Sequence, residues 1–188
     1  MHSLEDALVK VSKFFNSQNI PYMVIGGVAN LFWGTARSTL DIDITVQIDA
    51  KDHENFIRKV QTDFSIRVTN PRSFIDQTRV LPIQDLNGIR IDLIFASLPY
   101  EMSAIKRARS ERVQGEFVRV CTPEDLIIHK IISERPRDRE DIQGVIQKIG
   151  SGLDRNYLDP IIEELANAFA KPSMLDFYLK CFKPLDST

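Results

Sequence analysis

Cysteine is nearly missing from this chain. Cys121 and Cys181 each stand alone among apolar neighbours, so neither a disulfide framework nor a thiolate metal site is expected. No apolar run approaches the ~20 residues needed to cross a bilayer, which argues against a membrane protein. The opening MHSLEDALVK carries acids where a signal peptide has a basic start and an apolar centre, so a cytoplasmic location is expected. Charge of one sign is also lacking. Lysine and arginine number 24 against 26 aspartates and glutamates, a net of -2, so an anionic ligand must be held by local clusters. What is present is the composition of a folded domain, 43% apolar and 27% charged over 188 residues, enough to bury a core unaided.

Periodicity divides the chain. Residues 3–18 set Leu4, Leu8, Val11, Phe14 and Phe15 on one helical face. Pro21 precedes a short apolar strand, YMVIGG, and a short helix follows it. In LDIDITVQI the residues Ile42, Ile44, Val46 and Ile48 alternate with Asp41, Asp43, Thr45 and Gln47, the pattern of a half-buried strand. Residues 51–64 read as a helix, SIRV and RVLPI as short strands around an Asn70-Pro71 break, and IRIDLIFA as another strong strand. Residues 100–112 read as a basic helix and FVRVC as a strand. TPEDLIIHKIISE is a helix started by Thr122 and Pro123, and Pro136, Gly150–Gly152, Pro160 and Pro172 divide the remaining tail into about three helices. The expected division is 1–121 for an α/β core and 122–188 for a helical region packed on it.

Asp41 and Asp43, two apart on a strand, leave the same face about 6.5 to 7 Å apart at the backbone. Carboxylates that close repel, and a hard divalent cation with oxygen ligands, Mg2+ or Mn2+, relieves the repulsion. Asp92 leaves the less apolar face of IRIDLIF. If the two strands are neighbours, three carboxylates meet. Upstream, Gly26 and Gly27 close a strand before a helix, where unobstructed backbone amides can cradle phosphates. Taken singly, each motif reads as well as a solvated strand face or a turn.

The combination IGG, thirteen residues, then DIDI resembles the signature of the nucleotidyltransferase superfamily with the DNA polymerase β-like fold, and Asp92 matches its third carboxylate. Within it, RSTLDID resembles the AbiEii/AbiGii-type nucleotidyltransferases through Arg37 and Thr39. TPEDLIIHKIISERPRDREDI is similar to their downstream block through Lys130, Arg135, Asp138 and Asp141. Gly27 departs from the serine often found there. The resemblance implies an α/β (α+β) fold with a mixed sheet flanked by helices. It implies transfer of a nucleoside monophosphate from an NTP to an acceptor hydroxyl with two Mg2+ ions, and release of pyrophosphate. Asp41, Asp43 and Asp92 would be catalytic and metal-binding; Gly26, Gly27, Arg37, Thr39, Lys130 and Asp138 would bind the nucleotide. The acceptor would be tRNA or another RNA, or a protein, and the chain would be the toxin-like half of a toxin-antitoxin pair with a cognate antitoxin. The alternatives are a non-catalytic nucleotide- or partner-binding module of the same fold, or transfer to a small molecule such as an aminoglycoside. Two basic clusters, Arg37 with Arg135, Arg137 and Arg139, and Lys106, Arg107, Arg109 and Arg112, read either as solvated faces or as phosphate holders.

Overall fold

The structure is a computed structural model that describes residues 4–133 and 135–182. The chain divides into two compact units. One runs up to Ala29 and resumes from Arg37 to Thr122; the other takes Asn30–Ala36 and everything from Pro123 onward. Among the described residues no helix is long and apolar enough to cross a membrane.

The first unit is built on a seven-stranded mixed sheet. In chain order it has α1 (Leu4–Ser17), β1 (Tyr22–Ile25), the start of α2 (Gly26–Trp33), β2 (Asp41–Val46), α3 (His53–Val60), β3 (Ser65–Ile66), α4 (Pro71–Thr78), β4 (Val80–Gln84), β5 (Arg90–Phe95), α5 (Pro99–Arg107), β6 (Arg109–Val113) and β7 (Glu116–Val120). The strand order is β3-β4-β5-β2-β1-β7-β6. β2 lies parallel to β5 and antiparallel to β1, while β1 lies parallel to β7.

One face of this sheet is a continuous apolar core. Ile42, Ile44 and Val46 of β2 stand in register with Ile91, Leu93 and Phe95 of β5, all buried. Helices α1 and α3 supply rings to it: Phe14 meets Phe64 edge-on at 5.8 Å, Phe15 stacks on Tyr22 at 4.9 Å, and Phe56 meets Phe95 edge-on at 5.7 Å. Aromatic pairs at such distances add about 0.5 to 1.5 kcal/mol each beyond burial. On the opposite face, α5 packs against β1 and β2, and Arg119 of β7 reaches the Ile105 carbonyl at 3.4 Å.

Three elements differ from the sequence reading. The basic segment 100–112 is helical only to Arg107; Arg109–Val113 is the edge strand β6, hairpinned to β7 through Gln114 and Gly115, both at positive φ. Alternation there is masked because an edge strand buries little on either side. The Asn70-Pro71 break opens helix α4, with Pro71 in its first turn, where a missing N–H costs nothing. Pro160 does not divide the tail; it lies inside a helix, and the tail helices are bounded by the other breaks.

The second unit holds α6 (Pro123–Ser133), α7 (Pro136–Ile149), α8 (Arg155–Ala168) and α9 (Pro172–Cys181), with the segment Asn30–Ala36. Lys148 Nζ donates to the Phe32 and Gly34 carbonyls at 3.0 and 3.2 Å, tying that segment to α7. Glu124 accepts from the Asp154 backbone N–H at 2.9 Å, and Tyr157 donates its hydroxyl hydrogen to Asp125 at 3.0 Å, joining α6 to the start of α8.

The first unit has a polar clamp at the end of β5. Arg79, left-handed at φ 62, donates to the Phe95 carbonyl and to Glu101, which also accepts from the Ser97 and Leu98 backbone N–H groups at 2.8 and 3.0 Å. Burial pushes the Glu101 carboxyl up, but hydrogen bonds from Arg79, Ser97 and Leu98 outweigh it and hold the group below its ordinary value. A depressed carboxyl contributes stability above its unfolded value that is lost as pH falls through the folded one. Glu101→Gln is therefore expected to cost about 1 to 3 kcal/mol at neutral pH, and the difference from wild type in urea melts should shrink below about pH 4.

Candidate functional site

The register of β2 on β5 places Asp43 directly opposite Asp92, and Asp41 opposite Arg90. Residues opposite each other across a ladder share a face, so Asp41, Asp43 and Asp92 stand together on the face away from the apolar core. Neighbouring strands are about 4.8 Å apart, and Asp41 and Asp43 are about 7 Å apart along β2. Asp41 is exposed, and Asp43 and Asp92 are half-buried.

The antiparallel partner β1 brings the glycines to the same place, because Ile25 pairs with Asp43 and Gly26 follows at once. Gly26 has φ +64, and a Cβ there would stand 2.1 Å from Asp43 Oδ2. No other residue fits without moving that carboxylate. A Cβ on Gly27 would stand 2.4 Å from Thr39 Oγ1 and 3.7 Å from the Arg37 guanidinium. Thr39 in turn donates to Asp41 Oδ1 and to its carbonyl, both at 3.3 Å. Arg37, Thr39, Gly26, Gly27, Asp41, Asp43 and Asp92 thus belong to one unit and gather at one end of β2.

Burial pushes the Asp92 carboxyl up from its ordinary value, and the Asp41 carboxylate adds to the push, against opposing pulls from Arg67 and Arg90. Among the described residues no group of three or more His, Cys, Asp or Glu side chains is arranged so that it could hold a metal ion as it stands. The donor set nevertheless suits a hard cation. It consists of carboxylate oxygens only, brought to one face of two paired strands, where like charges favour a divalent ion between them.

Lys130 and Asp138 lie in the other unit. The Lys130 ammonium, 5% exposed, donates to Asp138 Oδ1 at 3.0 Å and Asp141 Oδ2 at 2.6 Å. Asp138 also accepts from Arg135 Nε at 2.6 Å and from the Ser133 hydroxyl. The four residues that resemble the downstream family block are therefore one charge cluster joining α6 to α7, with Lys130, Asp138 and Asp141 buried and Arg135 at its exposed edge. Sequence reading missed two cations of the first unit, Arg67 and Arg90. Their signal was the alternation itself, which sets Arg90 on the face of Asp92.

A family model described as "Nucleotidyltransferase of unknown function (DUF6036)" matches residues 2–183. The chain belongs to that family. No functionally curated protein matches it by sequence. Among solved structures, this nucleotidyltransferase family member is similar in fold to an antigenic nucleotidyltransferase-like protein from Paracoccidioides brasiliensis (20% identity, 94% of this chain and 93% of that one, TM-score 0.56). It is also similar to the antibiotic-resistance factor ANT(2'')-Ia (14%, 90% and 94%, TM-score 0.59) and to the lincosamide antibiotic adenylyltransferase LnuA, solved with lincomycin bound (16%, 77% and 98%, TM-score 0.53). At these identities the likeness is one of fold.

Two measurements test the local geometry. Gly26→Ala forces a left-handed alanine into the Asp43 carboxylate and is expected to destabilise by at least about 1 to 2 kcal/mol, whereas Gly115→Ala, at a turn with open space around it, should cost only the left-handed strain. Lys130→Met should cost about 3 to 5 kcal/mol, because it strands two buried carboxylates; a melting temperature within a degree or so of wild type would mean that the cluster does not hold α6 on α7. The acid limb carries the sign. Burial raises the Asp138 carboxyl, but hydrogen bonds from Ser133, Arg135 and Lys130 lower it further, so its contribution is present above about pH 4 and lost on acidification.

Proposed function

We propose that this protein transfers a nucleoside monophosphate from an NTP to an acceptor hydroxyl and releases pyrophosphate. The observation that carries the reading is the β2–β5 register, which sets Asp43 against Asp92 beside Gly26 and Gly27. The acceptor oxygen forms a bond to the α-phosphorus, the bond from that phosphorus to the β-phosphate bridge breaks, and the electron pair leaves with pyrophosphate. Gly26 and Gly27 offer backbone amides to the triphosphate, with Arg37 and the Thr39 hydroxyl alongside. Asp41 and Asp43 would hold two Mg2+ or Mn2+ ions and Asp92 would share the one on the acceptor side; such ions stabilise charge on the attacking and leaving oxygens. Asp92, whose carboxylate is disfavoured by burial and by Asp41, is suited to drawing the proton from the acceptor hydroxyl.

For Lys130 and Asp138 the buried pairing supports a structural part, and a nucleotide contact would require that pairing to open. The motif RSTLDID supports the AbiEii/AbiGii-type reading, in which the acceptor is tRNA, another RNA or a protein, and the enzyme acts in the cytoplasm as a toxin restrained by a cognate antitoxin. Transfer to an aminoglycoside and a purely non-catalytic module are the competing readings. Three acids brought together on one face speak against the second.

The test is incorporation of label from each α-labelled NTP with Mg2+, in the presence of total RNA, total protein or aminoglycosides. Asp41→Asn and Asp43→Asn should each lower incorporation by at least a hundredfold, about 2.7 kcal/mol at the transition state. Both variants should melt at or slightly above the metal-free wild type, since one of two crowded charges is gone. Wild-type rates in both variants would end the enzymatic reading. A Mg·NTP-induced melting shift equal to that of wild type would end the metal assignment.

A further inference from the structure

The acid face of the sheet is not used evenly. Toward β1 lie the glycines. On the other side of the acids, β5, β4 and β3 continue the same face, and the register says which residues stand on it. Asp92 pairs with Pro82, and Arg67 continues β3 opposite Pro82, its backbone N–H donating to the Pro82 carbonyl at 2.9 Å. One row over, Asp41 pairs with Arg90, Arg90 with Gln84, and Gln84 with Ser65. Two rows thus leave the acids, one ending on Arg67 and the other passing through Arg90.

This half of the face is open. Val80, Pro82, Gln84, Asp92 and Ile94 are all half-buried and Arg67 and Arg90 exposed, whereas Leu81, Ile83, Ile91 and Leu93, which alternate with them, are buried on the core side. Among the described residues neither the Arg67 nor the Arg90 guanidinium makes a hydrogen bond or salt bridge, so both are available to a ligand. Their backbones are about 12 Å apart, from two strand spacings and two residues.

We propose that the β3–β5 half of the acid face is the acceptor subsite, where Arg67 and Arg90 bind phosphates of a single-stranded polynucleotide whose terminal hydroxyl is presented to Asp92. The inference rests on the nucleotidyl-transfer reading of the same site. A polyanion approaching three carboxylates in a chain of net charge -2 needs local cations, and these two stand where it would lie. A polycationic acceptor such as an aminoglycoside would instead meet two guanidinium groups beside Asp92. Small-molecule sites are concave, while a flat half-apolar sheet with flanking cations suits an extended strand. The platform has no aromatic residue on it, so phosphate contacts dominate the affinity and binding is strongly salt-dependent.

The test is binding of a fluorescein-labelled single-stranded oligoribonucleotide with a free 3′ hydroxyl, and of a DNA of the same sequence, to the full chain and to Arg67→Gln, Arg90→Gln and the double variant. Each single variant should weaken binding about tenfold and flatten the slope of log Kd against log salt by roughly 0.7, with Mg·NTP affinity unchanged within about twofold. Tighter binding of one oligonucleotide than the other identifies the acceptor as RNA or DNA. Unchanged slope and affinity, or a parallel loss of NTP binding, would overturn the subsite. Inorganic phosphate or a nucleoside monophosphate competing as well as the oligonucleotide would overturn the polynucleotide, as would label passing to protein or aminoglycoside faster than to either strand. The two levels separate. Arginine-dependent binding without incorporation would keep the subsite and end the enzymatic reading, whereas incorporation into RNA indifferent to both substitutions would do the reverse.

Discussion

Asp43 can face Asp92 only because the other side of the same two strands is a closed apolar ladder. Two carboxylates held opposite each other repel, and nothing between them favours that register. Ile42, Ile44 and Val46 against Ile91, Leu93 and Phe95 fix it instead, since a slip of β2 by one residue would turn its three apolar side chains out of the core and Asp41 and Asp43 into it. Burying even one such side chain stabilises by about 1.5 to 3 kcal/mol, so the ladder outweighs a repulsion screened by water at the exposed end of β2. The site is set by residues that never touch it.

The same ladder also orders what flanks the acids. Register ties Gly26 to one edge of Asp43 through β1, and Pro82 and Arg67 to the far edge of Asp92 through β4 and β3. The three acids are therefore flanked on one side by Gly26, Gly27, Thr39 and Arg37 and on the other by Arg67 and Arg90.

The acidic strands were legible because each has one face in the core, which writes period-two alternation into the sequence, and because the glycine pair and its spacing from Asp41 agree with one superfamily signature. Where that contrast fades, so did the reading. β6 is an edge strand with mostly exposed side chains, and its basic residues look the same on a helix. Helix α4 buries only Ile75, too little to show a period. The arginines were visible as residues but not as neighbours: Arg67 reaches the row of Asp92 only through the β3–β4 and β4–β5 pairings, which lie in long-range register and not in local pattern. The partners of Lys130 were hidden for a related reason. Its apolar surroundings on α6 were plain, yet that Asp138 and Asp141 turn back onto it depends on how α7 returns after Pro136.

Two charge clusters among the described residues differ in how their charges are arranged. Around Lys130 the sum closes: two buried carboxylates are met by a buried ammonium, the Arg135 guanidinium and the Ser133 hydroxyl, and every oxygen that faces the protein has a donor. Such a cluster has no use for a ligand and is disturbed by losing any member. Around Asp41, Asp43 and Asp92 three acids share one face of the sheet. Asp92 is driven toward its neutral form by burial and by Asp41, against the pull of Arg67 and Arg90. Aspartates and basic residues make both: in the buried cluster opposite charges meet within hydrogen-bond distance, whereas on the sheet face like charges stand side by side, the arrangement that a bound cation would stabilise.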